Sequence, residues 1–270
     1  MSATVRFYDA TLTRGLGQPG RALSPSQRQA LARELDAGRV DYIEVAWWDA
    51  SADRVAWTVT DLRPRHARPA MQVPLGPDAA ANARRVQAAR EADVPVLTLH
   101  IPAAVAPSAW RAALEQARAA QVEVLVVLED FYRFQQQHPA AAWERVQAAL
   151  QAGAHAVTLD DARGEALPWE MALLMHAAVR RFPAAVLGVS GGNANACADD
   201  NALVAVRQGA RLVHGTLHGL GRGQGYADLG HVRATLFRER GPARDDEQTL
   251  RVLWEAGQTL DHWLYAPTRA

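Results

Sequence analysis

Two apolar runs of this chain end in polar groups: Val5-Arg-Phe-Tyr-Asp9-Ala-Thr11-Leu-Thr13-Arg14 and Asp41-Tyr-Ile-Glu44-Val-Ala-Trp47-Trp48. Carboxylates, hydroxyls and a guanidinium crowded at strand ends can hold a small polar ligand, move a proton or stabilise an oxyanion. In a repeating strand-helix protein, chemistry sits at the C-terminal ends of the strands. Two further runs end in a titratable group, with His100 after Val96-Leu-Thr-Leu99 and Glu129 after Val122-Glu-Val-Leu-Val-Val-Leu128. His214, Thr216 and His218 alternate, so a strand would put them on one face. They are either a metal site, with or without His100, or satisfied barrel residues. The run Gly219-Leu-Gly221-Arg222-Gly223-Gln-Gly225 either converges backbone N–H groups on an anion or makes a flexible turn. Its spacing is not the dinucleotide fingerprint. Neighbouring strand residues face opposite ways, so one of Trp47 and Trp48 faces a ligand mouth and the other the core.

Elements that position these groups follow from the pattern. Strands are expected near 5–8, 41–46, 70–73, 95–100, 122–128, 155–159, 184–189 and 211–217, each followed by helical periodicity or a long loop. Continuous apolar runs are what parallel strands covered on both faces look like. An open doubly wound sheet would share them, but eight units without a dinucleotide fingerprint favour a TIM (β/α)8 barrel. Ser24, Pro25 and Gln27 spell a helix start with a capping box, and Gly38 ends that helix. Gly38, Gly153 and Gly209 repeat a helix-glycine-strand junction. Residues 1–270 are read as one barrel, to about 240, with a C-terminal helical extension over 241–270. In that extension Leu250, Leu253, Trp254, Leu260, Trp263 and Leu264 form an apolar stripe that closes the barrel bottom or packs on a second subunit. No element is assigned over 51–69.

Composition removes whole classes of chemistry. All 29 basic residues are arginine, so Schiff-base aldolase chemistry, lysine-anchored pyridoxal phosphate, carbamylated-lysine metal sites and a Walker loop are excluded. Basic and acidic residues balance at 29 each, leaving no net field for nucleic acid or an acidic membrane. No apolar stretch suits a membrane span. A single cysteine, Cys197, and no export signal point to the cytoplasm.

Asp9-Ala-Thr-Leu-Thr-Arg-Gly15, Ser24 with its helix, Tyr42-Ile-Glu-Val45, Leu128-Glu-Asp130, Leu187-Gly-Val-Ser190 and Gly215-Thr-Leu-His-Gly-Leu-Gly221 follow the order of the DRE-TIM metallolyase superfamily. The chain resembles that superfamily over most of its length. It includes isopropylmalate, homocitrate and citramalate synthases, 3-hydroxy-3-methylglutaryl-CoA lyase and 4-hydroxy-2-oxoacid aldolases. The resemblance implies Asp-x-Thr-Leu-Arg-Asp-Gly at the first strand end, where the Arg polarises an oxyanion and the second Asp binds a divalent metal. Thr13 and Arg14 stand at those two places. The metal motif His-x-His-Asn-Asp falls on Ser190-Gly-Gly192-Asn193-Ala194, and a last metal-side Asn falls on Tyr226. A carboxylate, two imidazoles and an amide are thus replaced together, so no metal or other cofactor is expected. Either the Arg14 guanidinium is the fixed positive centre in place of the metal, or it merely pairs with Glu44 or Glu129. The two glutamates match family glutamates.

The expected catalytic set is therefore Arg14 for an enolate-like oxygen and Glu129 or Glu44 for the proton. Asp9, Thr11, Thr13, Trp47, Trp48 and His100 are expected to contact the ligand from the first strand ends. Ser190, Asn193, Thr216, His218, Arg222 and Tyr226 are expected to do so from the last. The expected function is a metal-independent, aldolase- or lyase-like barrel. It would make or break a carbon-carbon bond next to a carbonyl in a small carboxylate, 2-oxoacid or phosphorylated ligand. The competing expectation is an inactive pseudoenzyme serving as a binding or partner subunit, and a homodimer or a complex with a partner enzyme is expected in either case.

Overall fold

In the computed structural model, residues 4–16, 22–59, 61–240 and 247–265 are described. Eight parallel strands close into a barrel: β1 (Arg6–Asp9), β2 (Tyr42–Asp49), β4 (Arg68–Pro74), β5 (Val96–Pro102), β6 (Glu123–Glu129), β7 (Ala156–Asp161), β8 (Leu187–Gly191) and β9 (Leu212–Gly215). Closure comes from β1, which pairs β9 on one side (Phe7↔Val213) and β2 on the other (Tyr8↔Tyr42). Each of the eight expected strands coincides with one of these.

The apolar runs are explained by a strand's two faces. Along β6, Leu125 points inward to an interior cluster with Tyr8, Tyr42, Ala70, Val96, Ala156 and Leu212. Val124, Val126 and Leu128 point outward and pack under the helices. The helices are α1 (Pro25–Ala37), α2 (Ala79–Glu91), α3 (Pro107–Ala119), α4 (Phe131–Gln137), α5 (Pro139–Gln151), α6 (Pro168–Arg181), α7 (Ala198–Arg207), α8 (Leu229–Arg240) and α9 (Glu247–Tyr265). The capping box of α1 forms as its sequence dictates: Gln27 N donates to Ser24 Oγ (3.3 Å) and Ser24 N donates to Gln27 Oε1 (2.8 Å). At the N-terminal end of the barrel, Tyr42 bridges Arg6 (2.6 Å) and Glu123 (2.7 Å), satisfying a carboxylate that opens a buried strand.

Three expectations are corrected. Residues 51–69 contain β3 (Arg54–Trp57), which folds back antiparallel on the end of β2 (Ala46↔Trp57, Asp49↔Arg54) and forms a hairpin outside the barrel. The period of β3 was hidden because the strand is short and half exposed: Arg54 and Trp57 face solvent, and Val55 and Ala56 are partly buried. The loop that leads into β4 is held by Asp36, whose carboxylate accepts from Arg65, His66 and Ala67 N–H groups at 2.9, 2.8 and 2.7 Å. Second, the glycine junctions differ. Gly153 and Gly209 have φ of +95° and +109°, but Gly38 has φ −72° and Arg39 takes the left-handed position (φ 53°). Gly38 is required by packing instead, since a Cβ there would overlap the Leu253 side chain of α9. Gly38→Ala is expected to cost about 1–3 kcal/mol of stability, read by urea unfolding, and an unchanged midpoint would show that α9 does not dock there.

Third, α9 does not cover the barrel bottom. It lies against α1 and α8 and reaches the short turn Leu217–Gly219 after β9. Its buried face is Thr249, Leu253, Ala256, Gly257 and Leu260, whereas Trp254 is 61% exposed and outside the stripe. The expected boundary at 240/241 falls between α8 and α9, and residues 241–246 and 266–270 of the extension lie outside the described residues. No helix among the described residues is long and apolar enough to cross a membrane.

Candidate active site at the C-terminal mouth of the barrel

Directly after β1 the chain makes a single wide helical turn, Thr11–Gly15, which buries Thr11 and Leu12 and turns Thr13 and Arg14 toward the barrel axis. Asp9 fixes this turn by accepting from Thr11 N (2.9 Å) and Thr11 Oγ1 (2.9 Å). Thr11 Oγ1 in turn accepts from Leu217 N (2.8 Å), tying the loops after the first and last strands together. Below the turn, Glu44 is fully buried and accepts from Tyr8 Oη (2.6 Å) and from Thr13 Oγ1. Buried carboxylates persist only when their oxygens are satisfied in this way.

Arg14 lies above them. Its Nη2 approaches His100 at 2.5 Å from Nδ1 and 3.1 Å from Nε2, and His100 Nδ1 lies 3.0 Å from Glu129 Oε1. His100 thus links the guanidinium to the Glu129 carboxylate, its ring nitrogens donating or accepting according to the tautomer. Arg14 is also 4.0 Å from Glu129, and its guanidinium sits over the Tyr226 ring at 5.9 Å.

The charges are set by these neighbours. Burial acts to lower the Arg14 pKa, but Glu44, Tyr226, Asp160 and Glu129 together outweigh it and push it up. Burial would raise Glu129, yet its hydrogen bond to His100 and the charges of His100 and Arg14 hold it below the ordinary glutamate value. Asp160 goes the other way: burial raises it, and Arg14 and the Ser190 hydroxyl only partly offset that. His214 is pushed well below the usual histidine value by burial and by Arg14 and His100. It stays inside the barrel, stacked on Tyr8 (4.3 Å between centroids) and 3.0 Å from Thr158 Oγ1.

Over Arg14 opens a cavity of about 570 Å³, lined among others by Thr13, Trp47, Gln72, Glu129, Asp160 and Tyr226, with Arg28 and Arg222 also on its wall. A larger cavity of about 780 Å³ lies between α8 and α9 behind the Leu217–Gly219 turn, and none of the strand-end groups around Arg14 lines it. A register shift in β2 between Glu44 and Ala46 directs Glu44 inward, sets Trp47 at the mouth and sends Trp48 (7% exposed) into the core under the helices. The glycines of 219–225 serve the backbone path. Gly219 and Gly225 have φ of 63° and 85°, and a Cβ on Gly221 would overlap the Tyr226 ring, so the loop folds back and lays Tyr226 over Arg14.

The expected site residues therefore separate. Thr13, Arg14, Trp47, Glu129, Arg222 and Tyr226 meet at the mouth cavity. Glu44, Ser190 and Thr216 lie beneath it around a void of about 10 Å³, and His100 is 1% exposed behind Arg14 and Glu129. Glu44 is thus placed to fix Arg14 and Thr13 rather than to exchange a proton with a ligand. Asp9 and Thr11 are spent on the turn. Trp48 is in the core, and Asn193 Oδ1 accepts from Ala198 N at 2.9 Å at the start of α7. His218 leaves the strand face, because the chain turns after Thr216 and gives it φ 50°; its Nδ1 pairs with Asp261 of α9 at 2.7 Å. The alternating face of His214, Thr216 and His218 does not form. Six of the twelve residues lining the cavity were among those expected, but the strand expected over 155–159 stopped at Leu159 and missed Asp160, whose signal was the Asp160-Asp161 pair closing an apolar run. Gln72 and Arg28 carried no such signal.

The HMGL-like family matches residues 4–259. The chain belongs to that family, and with it to the DRE-TIM superfamily indicated by the strand-end motifs. It is 27% identical over 274 residues to (R)-citramalate synthase of Aquifex aeolicus, covering 94% of this chain and 52% of that protein. A putative (R)-citramalate synthase of Methanopyrus kandleri is 30% identical over 246 residues, covering 86% of this chain and 47% of the relative. The chain spans about half the length of the curated relatives it matches. In fold it is similar to the HMG-CoA lyase of Bacillus subtilis, with a TM-score of 0.79 at 16% identity, covering 99% of this chain and 96% of that one. The HMG-CoA lyase of Acinetobacter baumannii, solved with coenzyme A and 3-methylmalate, superposes with a TM-score of 0.77 at 18% identity over 98% of this chain and 92% of that one.

The family implies a divalent metal, and the residues at the corresponding strand ends do not fit one. The four positions that the motif resemblance assigns to ligands hold a guanidinium (Arg14), a hydroxyl (Ser190), no side chain (Gly192) and a phenol that covers the guanidinium (Tyr226). Among the described residues no group of three or more His, Cys, Asp or Glu side chains is placed to hold a metal ion. The positive charge of Arg14 would repel a cation at that spot.

Proposed function

We propose that the chain is a carbon-carbon lyase or synthase of small 2-oxoacid or hydroxy-acid substrates, working through a guanidinium instead of a metal. The observation that carries this reading is Arg14, held at the floor of the mouth cavity by His100 and Glu129 with Glu129 left as an open carboxylate beside it. In the cleavage direction Glu129 takes the proton of the substrate hydroxyl, the bond to the next carbon breaks, and its electron pair moves onto the carbonyl oxygen as an enolate. Arg14 donates to that oxygen, a charge-assisted contact that strengthens as the charge develops. Arg28 and Arg222 on the cavity wall suit a carboxylate or phosphate of the same molecule. Synthesis is the same path reversed, consistent with relatives named as synthases.

The test is thermal shift with oxaloacetate, pyruvate, acetyl-CoA and acetyl phosphate, each with and without a chelator. A ligand at a hundred times its Kd stabilises by about 2.7 kcal/mol, so a 2-oxoacid is expected to raise Tm equally in both conditions. Stabilisation that needs a divalent cation would overturn the guanidinium reading. A second reading rests on the same contacts: Arg14 already has partners within the chain, as a vestigial pocket would. No shift with any of these ligands, together with co-purification of another protein, would favour that binding subunit.

A further inference from the structure

The two carboxyl groups of the mouth cavity are held differently. Glu129 has the His100 ring at 3.0 Å and the Arg14 guanidinium at 4.0 Å. Asp160 lines the same cavity but is 4% exposed. It accepts a long contact from Asp130 N (3.5 Å) and a hydrogen bond from Ser190, its register partner on β8. The alternation of β7 fixes its direction: Ala156 and Thr158 face the barrel interior, so Asp160 does too, at the top. Its neighbour Asp161 faces the helices and is used up by the loop, accepting from Ala166 N at 2.8 Å. A buried carboxyl group with hydroxyl and amide contacts keeps its proton more readily than one beside a guanidinium, and burial raises Asp160 accordingly. Two carboxyl groups in one cavity whose surroundings push them apart are the pattern of an acid and a base.

We propose that Asp160 is the general acid-base group facing carbon in this site, giving a proton to the enolate carbon in cleavage and removing one from that carbon in synthesis. This rests on the reading above. After Glu129 has taken the hydroxyl proton and the carbon-carbon bond has broken, the enolate carries the negative charge on oxygen beside Arg14. The Asp160 O–H bond then breaks toward carbon: the enolate electron pair forms the new C–H bond, the carbonyl re-forms, and Asp160 is left as carboxylate. Once product leaves, the proton held by Glu129 returns through solvent to Asp160, so atoms and charge balance without an oxidant or reductant. Ser190 beside Asp160 is its positioning residue, a use for a hydroxyl where the family pattern has an imidazole.

Pyruvate in heavy water, followed by proton NMR, isolates this step because methyl exchange needs enolate formation and reprotonation but no carbon-carbon cleavage. The native protein is expected to exchange the methyl hydrogens. Asp160→Asn, which keeps shape and the contact with Ser190, is expected to lose that exchange by at least about a hundredfold while its pyruvate affinity, read by thermal shift, stays within about threefold of native. Asp161→Asn, facing the helices, serves as the control that should still exchange. Exchange by Asp160→Asn at near the native rate overturns the assignment, and so does a loss of affinity as large as the loss of exchange, which would make Asp160 structural. A native protein that neither binds nor exchanges pyruvate sinks the proposed function itself, a result distinct from native exchange that survives in Asp160→Asn.

Discussion

Arg14→Gln is expected to lose the response to oxaloacetate and to become a less stable protein, with both effects largest near neutral pH. A hydrogen bond from a charged group contributes about 1.5–3 kcal/mol, so affinity should fall by about one to two orders of magnitude. The stability effect has a separate origin. Arg14 faces Glu44, Glu129 and Asp160, and Glu44 is fully buried. Removing one partner of a buried charge pair costs about 3–5 kcal/mol; because Arg14 itself keeps 19% exposure, the lower end is expected. The pH dependence follows from Glu129, whose folded value lies below the ordinary one because of His100 and Arg14. Such a group stabilises the fold above its unfolded pKa, and that contribution is lost as pH falls through the depressed folded value. Gln at position 14 removes part of it, so native and variant stabilities should converge on acidification. Urea unfolding across the acidic range, paired with oxaloacetate thermal shifts, reads both. Arg14→Lys should fall between them, retaining charge but not the planar fork. An Arg14→Gln protein that binds oxaloacetate as well as native would place the anion elsewhere in the cavity.

What could be read in the sequence, and what could not, divides along physical lines. The barrel was legible because its strands are covered on both faces, which writes continuous runs such as Val124–Leu128, and because junctions such as Gly153 and Gly209 need a left-handed residue. Elements governed by one long-range contact were not. Gly38 looks like the other two glycines but answers to Leu253 from the far end of the chain. At the site, strand-end position pointed to Arg14, Glu129 and Trp47, since a strand end faces the mouth whatever surrounds it, whereas Tyr226 came from the family resemblance. The same rule overreached for His218, because a strict alternation assumes that the strand continues, and the turn after Thr216 hands His218 to Asp261 instead. It overreached for Glu44 as well: direction along the strand is legible, but depth below the cavity floor depends on the turn at Thr11–Gly15 folding over it. Asp160 was missed by one residue of strand length, the least secure quantity in any reading of local pattern.

Asp9→Asn is expected to do the opposite of most buried substitutions and stabilise the protein above neutral pH. Asp9 is fully buried, and among the described residues its carboxyl accepts from Thr11, through the backbone N–H and the hydroxyl. Burial raises its pKa from 3.8 to about 7; the Thr11 contacts oppose that, while Glu44 and Asp228 add to it. A carboxyl group with a raised folded value binds its proton in the native state when the unfolded chain has already released it. Stability therefore falls as pH rises from the unfolded value through the folded one, and the loss is complete above it. At about 1.36 kcal/mol per pKa unit, ionising Asp9 in place costs roughly 4 kcal/mol at alkaline pH. An amide carries no such charge, and its oxygen still accepts from Thr11 N. The Thr11 hydroxyl, which donates to Asp9 and accepts from Leu217 N, must reorient against an NH₂ group, a cost of about 1–2 kcal/mol. The net expectation is a gain of about 2–3 kcal/mol at pH 8.5, little difference near pH 5 and a loss of about 1–2 kcal/mol near pH 3, below the unfolded carboxyl value, read as a crossing of the two stability curves in urea near pH 5. Native stability that stays flat between those pH values would show that Asp9 ionises freely in the fold. If the curves do cross, the carboxyl group at the end of β1 is held against the stability of the protein at alkaline pH, and the turn that presents Arg14 is built around a proton.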